Sequence, residues 1–260
     1  MTHPGKNRVR SIERACQIME LIAKNSGKAK LTAISEELEL ANSTVHRIIA
    51  TLVDMGYLTQ DLDNGEYALG PKLLYLGGQA LYRHDLRKTA IPFLERLRDD
   101  TDETANLAVL DDDEVMYIEK AESRSYIRVF SLIGRRAPVH ATGMGKVIAA
   151  HIAWTDVLQI LRKKGMPRLT PTTIVEVDAF MEELNKVRAQ GYALDNEECE
   201  EGVICIAAPV FDYTGKAIAA LSVSGPKDRM GADRRSSLIP VVKKAARELS
   251  LALGWQEVKI

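Results

Sequence analysis

Short polar and basic side chains recur at helical spacing in the stretch "LANSTVHRIIATLVD", and no acidic side chain joins them before Asp54. Hydroxyl groups in the first turn of a helix, followed by a cation one turn later, can contact phosphates and base edges in the major groove of DNA. A plainer interpretation stays open, in which Ser43 only caps the helix and Arg47 is a solvated charge. The residues of this candidate DNA-contacting face are Asn42, Ser43, Thr44, His46, Arg47 and Thr51.

Two further residues extend the candidate DNA-contacting set toward the N-terminus. Arg8 lies in a basic arm, and Thr32 opens the helix that precedes the polar face. The first sixty residues carry eight Lys or Arg against six Asp or Glu, whereas the whole chain has a net charge of −1. A basic arm of this kind can bind a polyanion, although a solvated tail has the same composition.

The polar face needs a helix that buries its opposite side. Apolar residues recur at i, i+3, i+4 and i+7 through the same stretch, which predicts one buried stripe on a helix. Asn42 or Ser43 is the expected N-cap of this helix, and Gly56 is expected to close it. The predicted stripe consists of Val45, Ile48, Ile49 and Leu52.

Three further elements surround that helix. A helix is expected from about Val9 to Asn25, with an apolar face wide enough to serve both its own domain and a partner. A short second helix follows, with Thr32 as its N-cap, and a hairpin is expected around Asn64-Gly65. Helix, helix, tight turn, helix and hairpin are the plan of a winged helix-turn-helix domain, which we assign to residues 1–70.

The rest of the chain alternates between helical and strand patterns. Residues 71–88 are expected to form a linker helix, and Pro92 marks a break in the helical pattern that continues to about Thr101. Hairpins are expected in "TANLAVLDDDEVMYIEKAE" and "GVICIAAPVFDYTGKAIAALSVSG", and a further strand in "YIRVF". Strands in hairpins with helices segregated around them predict an α+β domain over residues 89–260.

A second chemical pattern lies in "VHATGMGKVIAAH", where Gly143 and Gly145 precede a helix that is expected to start near Lys146. Backbone N–H groups at the N-terminus of a helix attract anions, and the helix dipole strengthens this attraction. An ordinary flexible loop that enters a helix has the same pattern, so the two glycines alone do not decide between these interpretations.

Length and composition restrict the class of protein. A chain of 260 residues with 46% hydrophobic and 27% charged residues is typical of one large folded domain or two ordinary ones. No apolar stretch has the length of a membrane helix, and the N-terminus has no secretory signal. Three cysteines without the spacing of metal ligands favour a reducing compartment. We therefore expect a cytoplasmic protein that uses no cofactor and binds no membrane.

Three functional classes stay open on the residues alone, and the first is favoured. A ligand-responsive DNA-binding regulator would use the polar helix face, whereas a thiol hydrolase would use Cys205, His140 and Asp195. In the third class the winged domain mediates protein contacts only, and the absence of acids on the polar face argues against it. A metal site at His140, His151 and Cys205 would lack paired ligands on one element.

The chain resembles the IclR-type bacterial transcription regulators along nearly its whole length. The motifs that carry this resemblance are "NSTVHRII", "GYL", "YALG", "HATGMGK" and "GYALDNEECEEGVICIAAPVFD". The resemblance implies a winged helix that dimerises, a linker helix and a C-terminal effector domain similar to the GAF sensor fold, without enzymatic activity. Within the family, "RHDLRKTAIPFLERL" and "GMGKV" are similar to regulators of sugar-acid catabolism such as the 2-keto-3-deoxygluconate repressor.

The same resemblance implies a ligand site and partners. A small carboxylate effector, such as a keto or sugar acid, would bind the C-terminal domain, and a homodimer or homotetramer would repress a catabolic operon at a palindromic double-stranded DNA operator. Met144 stands where the family's glyoxylate-binding pattern has alanine, which argues against the same effector. The effector-binding residues carried over from the family are Gly143, Met144, Asp195, Cys205, Ser222 and Ser224. Taken singly, Cys205 also fits a core cysteine and Asp195 a turn cap.

Overall fold

In the computed structural model the chain divides into two units, Met1–Arg83 and His84–Ile260. Arg8 and residues 77–85 of the expected linker lie outside the described residues, whereas residues 71–76 are helical. Within the part of the chain that is described, no helix is both long and apolar enough to cross a membrane. The structure describes residues 9–25, 27–61, 63–76, 86–129 and 131–257.

In the described part of the N-terminal unit, three helices and a small antiparallel sheet precede the helical residues 71–76. The three helices are α1 (Arg10–Lys24), α2 (Leu31–Glu37) and α3 (Asn42–Asp54). The strands are β1 (Lys28–Lys30), β2 (Leu58–Gln60) and β3 (Glu66–Leu69). The strand order is β1-β3-β2. This architecture confirms the predicted winged helix-turn-helix, with one strand more than the sequence pattern indicated.

The stripe predicted on α3 faces the core of this unit. Val45, Ile49 and Leu52 are buried there, and Ile48 is half-buried at the edge of the same core. The wing turns at Gly65, whose φ of 71° lies in the left-handed region that glycine adopts without strain. The predicted helix and the predicted hairpin therefore form as the local pattern requires.

Only part of the apolar face of α1 packs against its own unit. Ile18, Leu21 and Ile22 are buried in the core. Toward the N-terminus of the same helix, Val9 and Ile12 are 58% and 63% exposed. The wide apolar face that the sequence predicts on α1 is thus divided into a buried half and an uncovered half.

Both N-caps expected in this unit are wrong. Helix α2 begins at Leu31, so Thr32 is its second residue, and α3 begins at Asn42, directly after Ala41. Neither helix has a side-chain cap. The carbonyl of Ala41 accepts hydrogen bonds from the backbone N–H groups of Thr44 (2.9 Å) and Val45 (3.1 Å). The side chains of Asn42 and Ser43 are consequently exposed to solvent rather than bound to the backbone as caps.

The C-terminal unit is an antiparallel sheet with helices on both sides. Its strands are β4 (Thr104–Asp111), β5 (Glu114–Ala121), β6 (Arg136–Ala137), β7 (Ala193–Asn196), β8 (Val203–Phe211) and β9 (Ala217–Pro226). Its helices are α4 (Leu86–Thr101), α5 (Gly143–Ala149), α6 (Trp154–Lys164), α7 (Val177–Gln190) and α8 (Ala232–Ala252). The strand order is β6-β5-β4-β9-β8-β7. This is the predicted α+β, GAF-like architecture.

The two faces of this sheet bury different groups. Successive side chains of a strand point to opposite faces. On β9, Leu221 and Val223 pack against α4 and α8, whereas Ala220 packs in a second core with α5, α6 and α7. By the same alternation, Ser222 and Ser224 lie on the second face. That face therefore carries a hydrophobic core and, beside it, a strip of polar side chains.

Two expectations about α4 and the following loop are wrong. Helix α4 runs through Pro92 without a break, because Ala90 and Leu94 are buried in the core on either side of the proline. The stretch "YIRVF" forms no strand over its described residues 126–129. Tyr126 and Ile127 are exposed there and pair with no neighbouring strand among the described residues.

The start of α5 also differs from the expectation. The helix begins at Gly143, three residues before Lys146. Thr142 caps it, because its hydroxyl oxygen accepts a hydrogen bond of 3.0 Å from the N–H of Gly145. Gly143 and Gly145 therefore belong to the first helical turn and do not form a loop in front of it.

Candidate functional sites

The polar face of α3 is open to solvent. The side chains of Asn42, Ser43, His46 and Arg47 are exposed, and Thr44 is half-buried. Within the described ranges, no residue forms an ion pair or hydrogen bond with the Arg47 guanidinium. A free guanidinium on a solvent-facing helix can bind a phosphate or the edge of a guanine.

Thr51 and Thr32 contribute less directly to this face. The Thr51 hydroxyl donates a hydrogen bond of 3.0 Å to the carbonyl of Arg47, so only its oxygen is available as an acceptor. Thr32 is exposed in the first turn of α2, which precedes α3 in the helix-turn-helix. Arg8 lies outside the described residues, so the structure assigns it no position.

Four of the six residues expected to bind an effector lie on one face of the C-terminal sheet. Asp195 on β7 pairs in register with Cys205 on β8, and Cys205 pairs with Ser224 on β9. Ser222 lies two residues before Ser224 and pairs in register with Asn106 on β4. Adjacent strands therefore align Asp195, Cys205 and Ser224 into one row, and Ser222 lies in the neighbouring row on the same face.

Asp195, Cys205 and Ser224 line a cavity of about 30 Å³, which we call the polar cavity. A chain of contacts crosses its wall. The Ser131 hydroxyl donates to Asn106 Oδ1 (2.6 Å), Asn106 Nδ2 donates to Ser224 Oγ (3.3 Å), and Ser224 Oγ lies 3.0 Å from Cys205 Sγ. Its remaining lining residues are Tyr117, Val129, Arg135, Ala137, Cys199, Glu200 and Val203.

Ser222 does not line the polar cavity but lies beside it. Its hydroxyl oxygen is buried and has no hydrogen-bond partner among the described residues. Buried hydroxyl groups are usually hydrogen-bonded, since leaving one unpaired destabilises the folded chain by about 1 to 3 kcal/mol. Ser222 therefore offers an unused hydrogen-bonding group next to Ser224.

Asp195 is the buried acid of the polar cavity. Desolvation raises the pKa of its carboxyl to about 6, from an ordinary value of 3.8. Hydrogen bonds from the backbone N–H groups of Glu198 (2.7 Å) and Cys199 (3.2 Å) to Oδ1 act in the opposite direction. Asp195 consequently changes charge close to neutral pH and can accept a hydrogen bond from a hydroxyl group.

The two thiols of the polar cavity are poor nucleophiles. Burial raises the pKa of Cys199 to about 11 and holds the pKa of Cys205 well above its ordinary value of 9.0. The carboxylate of Asp195 raises the pKa of both thiols further. Because the thiolate is the reactive form, neither cysteine is activated for attack on a substrate.

The two histidines considered for catalysis or metal binding are engaged elsewhere. His140 Nε2 lies 3.1 Å from the carbonyl oxygen of Pro167, and His151 Nδ1 lies 2.8 Å from that of Val147. Neither histidine lines the polar cavity with Cys205. Across the described ranges, no group of three or more His, Cys, Asp or Glu side chains is placed to hold a metal. The geometry gives no support to the thiol triad or to the metal site.

Gly143 and Met144 occupy different surroundings although they are adjacent. A Cβ atom on Gly143 would lie 3.4 Å from the backbone nitrogen of Asp195 and 3.5 Å from the Cβ of Ala207. The side chain of Met144 is buried in the second hydrophobic core and does not line the polar cavity. The structure therefore brings the backbone of Gly143 next to Asp195 but turns the Met144 side chain away.

A buried ion pair beside the polar cavity was not predicted. Lys146 on α5 is 1% exposed, and its Nζ lies 2.5 Å from Glu198 Oε1 and 3.6 Å from Glu183 Oε1. Glu198 follows β7 in the loop that also contributes Cys199 to the cavity wall. The pair thus ties helix α5 to this loop. A lysine inside the apolar run "GMGKVIAA" was the signal that could have revealed it.

Most of the other residues that line the polar cavity were not predicted from the sequence either. Asn106 was detectable, because an amide inside the apolar strand "TANLAVL" occupies an inward-facing position and needs a partner. Ser131, Arg135 and Tyr117 carry no such signal. They reach the cavity from β5 and from the segment before β6, and only the tertiary fold brings these segments together.

Comparison with known proteins identifies one family over both units. The family model described as the IclR helix-turn-helix domain matches residues 11–62. The model described as the C-terminal part of the bacterial transcriptional regulator IclR matches residues 78–251. Together the two models cover the N-terminal unit from α1 to β2 and most of the C-terminal unit.

Individual relatives extend over nearly the whole chain. The HTH-type transcriptional regulator BhcR of Paracoccus denitrificans is 42% identical over 246 residues, covering 95% of this chain and 88% of its own. The acetate operon repressor of Salmonella typhimurium is 34% identical over 255 residues, covering 97% and 93%. The crystal structure of the Agobacterium tumefaciens repressor BlcR is 26% identical with a TM-score of 0.79, covering 97% of this chain and 100% of that chain.

Proposed function

This chain belongs to the IclR family of bacterial transcriptional regulators, and we propose that it is a repressor of a catabolic operon that responds to a small carboxylate effector. Family membership makes it a DNA-binding regulator of transcription and not an enzyme. The single observation that carries the effector proposal is the polar cavity, in which a buried acid, an amide and hydroxyl groups converge beside helix α5. Relatives named as repressors support the direction of control.

In the DNA-binding part of the proposal, α3 enters the major groove. Arg47 reads a guanine or binds a phosphate, because its guanidinium is exposed and unpaired in the described structure. Asn42, Ser43 and Thr44 lie at the N-terminal end of α3, where backbone N–H groups also favour phosphate. The other residues that we assign to the DNA contact are Arg8, Thr32, His46 and Thr51.

A homodimer is the proposed DNA-binding species, with a homotetramer as its larger form. Val9 and Ile12 at the start of α1, and Met55 after α3, are exposed apolar side chains. A partner subunit would cover this surface. Two copies of α3 spaced about 34 Å apart would then read a palindromic operator in the cytoplasm.

The effector part of the proposal assigns a keto or sugar acid to the polar cavity. Gly143, Met144, Asp195, Cys205, Ser222 and Ser224 are the proposed contacts, with Met144 contributing through its backbone. The cavity volume of about 30 Å³ equals the share of one water molecule in the liquid. An acid of three to six carbons therefore requires movement of the walls, and the lining residues outside the strands are Val129, Ser131, Arg135, Cys199 and Glu200. An effector that binds only the widened state shifts the conformational equilibrium, as an allosteric ligand must.

The DNA part is tested by selection of duplexes from a random pool with the full-length chain. We expect the selected sequences to share a palindrome, and a titration should give a dimer on each site. The variant Ile12→Glu tests the proposed subunit contact. It should lower both the mass in sedimentation and the affinity for that palindrome. Selected sequences without two-fold symmetry would contradict the proposed dimeric readout.

The effector part is tested by thermal shift of the full-length chain with keto and hydroxy acids of three to six carbons. At least one acid should raise the melting temperature and change the affinity for the selected palindrome by about 5- to 150-fold, the usual range of allosteric coupling. Asp195→Ala should remove the response while leaving DNA binding without ligand intact. If no acid of the panel changes stability or DNA affinity, the effector proposal is wrong.

A further inference from the structure

The geometry points to Arg135 as the residue that binds the effector carboxylate and makes the polar cavity selective for acids over neutral molecules of the same shape. This inference rests on the proposed effector function and deepens it by naming the charge that selects the ligand class. Nothing in the family motifs singled out Arg135, which lies in "GRRAP" ahead of the glycine-containing helix.

The backbone of Arg135 is held so that its side chain faces the polar cavity. Its carbonyl accepts the N–H of Tyr117 (3.0 Å), and its own N–H donates to the carbonyl of Leu132 (3.1 Å). Arg135 and Ala137, two residues apart at the β6 edge of the sheet, both line the cavity. Alternation along the chain turns Arg136, between them, the opposite way.

The two neighbouring arginines are used differently. The Arg136 guanidinium pairs with the carboxylate of Asp111 and also donates to the Asp111 carbonyl at 2.6 Å. For Arg135, no ion pair or hydrogen bond of the guanidinium joins it to another residue in the described ranges. An arginine at the edge of a cavity with its five donors unused is suited to a planar, bidentate acceptor, which is the geometry of a carboxylate.

The carboxyl groups around the cavity favour a cation there if an acid is to bind. Asp195 and Glu200 line the cavity with carboxyl groups, and an anionic ligand would be repelled by both. Of the lining residues that the structure describes, Arg135 is the one that carries a positive charge. The positive charge of Arg135 is felt inside the cavity. Burial raises the pKa of the Cys199 thiol, and the Arg135 guanidinium lowers it.

The ligand class follows from the two ends of the polar cavity. The exposed guanidinium of Arg135 pairs with the carboxylate, while Asp195, Asn106 and Ser224 meet hydroxyl or carbonyl groups deeper in the cavity. A hydroxylated or keto acid satisfies both ends. A neutral polyol or amide satisfies only the inner end, and an apolar fatty acid satisfies only the outer end.

The test compares acids with their neutral amides on the full-length chain. Pyruvate, lactate and D-gluconate, with pyruvamide, lactamide and D-gluconamide, are titrated by calorimetry against the wild-type chain, Arg135→Ala, Arg135→Lys and Arg136→Ala. Wild type should prefer an acid to its amide by at least about tenfold, which is the scale of a hydrogen-bonded charge pair. Arg135→Ala should abolish that preference, and Arg135→Lys should restore part of it.

Arg136→Ala is the matched control, because it removes an exposed arginine at the adjacent position without touching the cavity. It should retain the wild-type preference, and near-UV circular dichroism should show that all three variants are folded. If the wild type binds an acid and Arg135→Ala binds it equally well, the role of Arg135 is wrong while the effector function stands. If the wild type binds none of the acids, the inference and the effector proposal both fail.

Discussion

The polar face of α3 and the polar cavity are built in opposite ways. Six consecutive or nearly consecutive positions of one exposed helix supply the candidate DNA contacts. The cavity takes its lining from all six strands of the C-terminal sheet, β4 to β9, and from two connecting segments. A surface on one helix can change its side chains without changing the fold. A cavity at the junction of many elements has less freedom, because its lining groups, apart from the exposed Arg135 and Glu200, are also packed within the fold.

This difference predicts how substitutions act in the two regions. On α3 they should alter binding and leave the free energy of unfolding almost unchanged, since the side chains are exposed. In and around the cavity they should alter ligand response and stability together. The following variants measure that separation, beginning with the largest expected change.

The strongest test lies in the first turn of α5, where two glycines have unequal room. A Cβ atom on Gly145 would lie 2.2 Å from the carbonyl oxygen of Val139 and 2.7 Å from Thr142 Oγ1, so Gly145→Ala must displace backbone. We expect a loss of about 3 kcal/mol in unfolding free energy, the upper end for overpacked cores. Gly143→Ala meets only ordinary contacts of 3.4 Å or more and should stay near wild type. Equal urea midpoints for the two variants would contradict the packing described for α5.

Asp195→Asn separates stability from ligand binding inside the cavity. The pKa of Asp195 is raised to about 6 in the folded chain, so the folded state holds its proton more tightly than the unfolded state does. Stability from this group is therefore full below about pH 4 and falls as the pH rises toward and beyond 6. Asparagine keeps the acceptor for the two backbone N–H groups but does not ionise. It should thus stabilise the chain by up to about 3 kcal/mol at pH 8 and by almost nothing at pH 4.

The measurement is the difference in melting temperature between Asp195→Asn and wild type across this pH range. Taking the difference removes the titration of all other groups. The same variant should lose most of the effector response at pH 8, because a carboxylate acceptor has been replaced by a neutral amide. A stability difference that does not change with pH would show that Asp195 ionises as easily in the folded chain as in the unfolded one.

The same contrast explains which features the sequence could predict. Helix α7 carries local signals, because its buried residues Phe180, Leu184 and Val187 recur at helical spacing and Gly191 follows its last residue. The hairpins and the buried stripe of α3 are local in the same sense. Strands β1 and β6, with three and two residues, are too short to show a period, and tertiary pairing alone defines them.

The predicted residues of the polar cavity came from the resemblance to the family, and Asn106 was detectable as an amide in an apolar strand. The hydrogen bond from Asn106 to Ser224 joins positions 118 residues apart, and no periodicity reports such a contact. The N-caps failed for a different reason. Thr32 and Ser43 are residue types that favour caps, but the helices begin one residue or more earlier and leave both side chains in the first turn.

Arg47→Ala tests the exposed region of the comparison. Loss of a bidentate contact to guanine should weaken binding to the selected palindrome by about 1 to 3 kcal/mol and relax specificity at one position in each half-site. The melting temperature and the effector affinity should match wild type, since the Arg47 side chain is exposed. Asp54→Ala, at an exposed position of α3 outside the candidate DNA contacts, is the control for loss of a side chain on this helix. An equal loss on random and selected DNA would assign Arg47 to phosphate contact instead of base readout.

The smallest expected change is at Cys205, and it separates a sensor from an enzyme most directly. Burial and the nearby Asp195 keep the pKa of this thiol high, so it acts as a neutral group that contacts Ser224 Oγ at 3.0 Å. Cys205→Ser places a hydroxyl at the same position and should change effector affinity by about 1 kcal/mol, the usual scale of one hydrogen bond. Cys16→Ser is the matched control, because Cys16 is an exposed thiol in the N-terminal unit and should leave the effector titration unchanged. DNA affinity without ligand should be the same for wild type and both variants. A ligand turnover that disappears in Cys205→Ser but persists in Cys16→Ser would require an ionised thiol, and such an ion contradicts the buried, acid-flanked position that Cys205 has on β8.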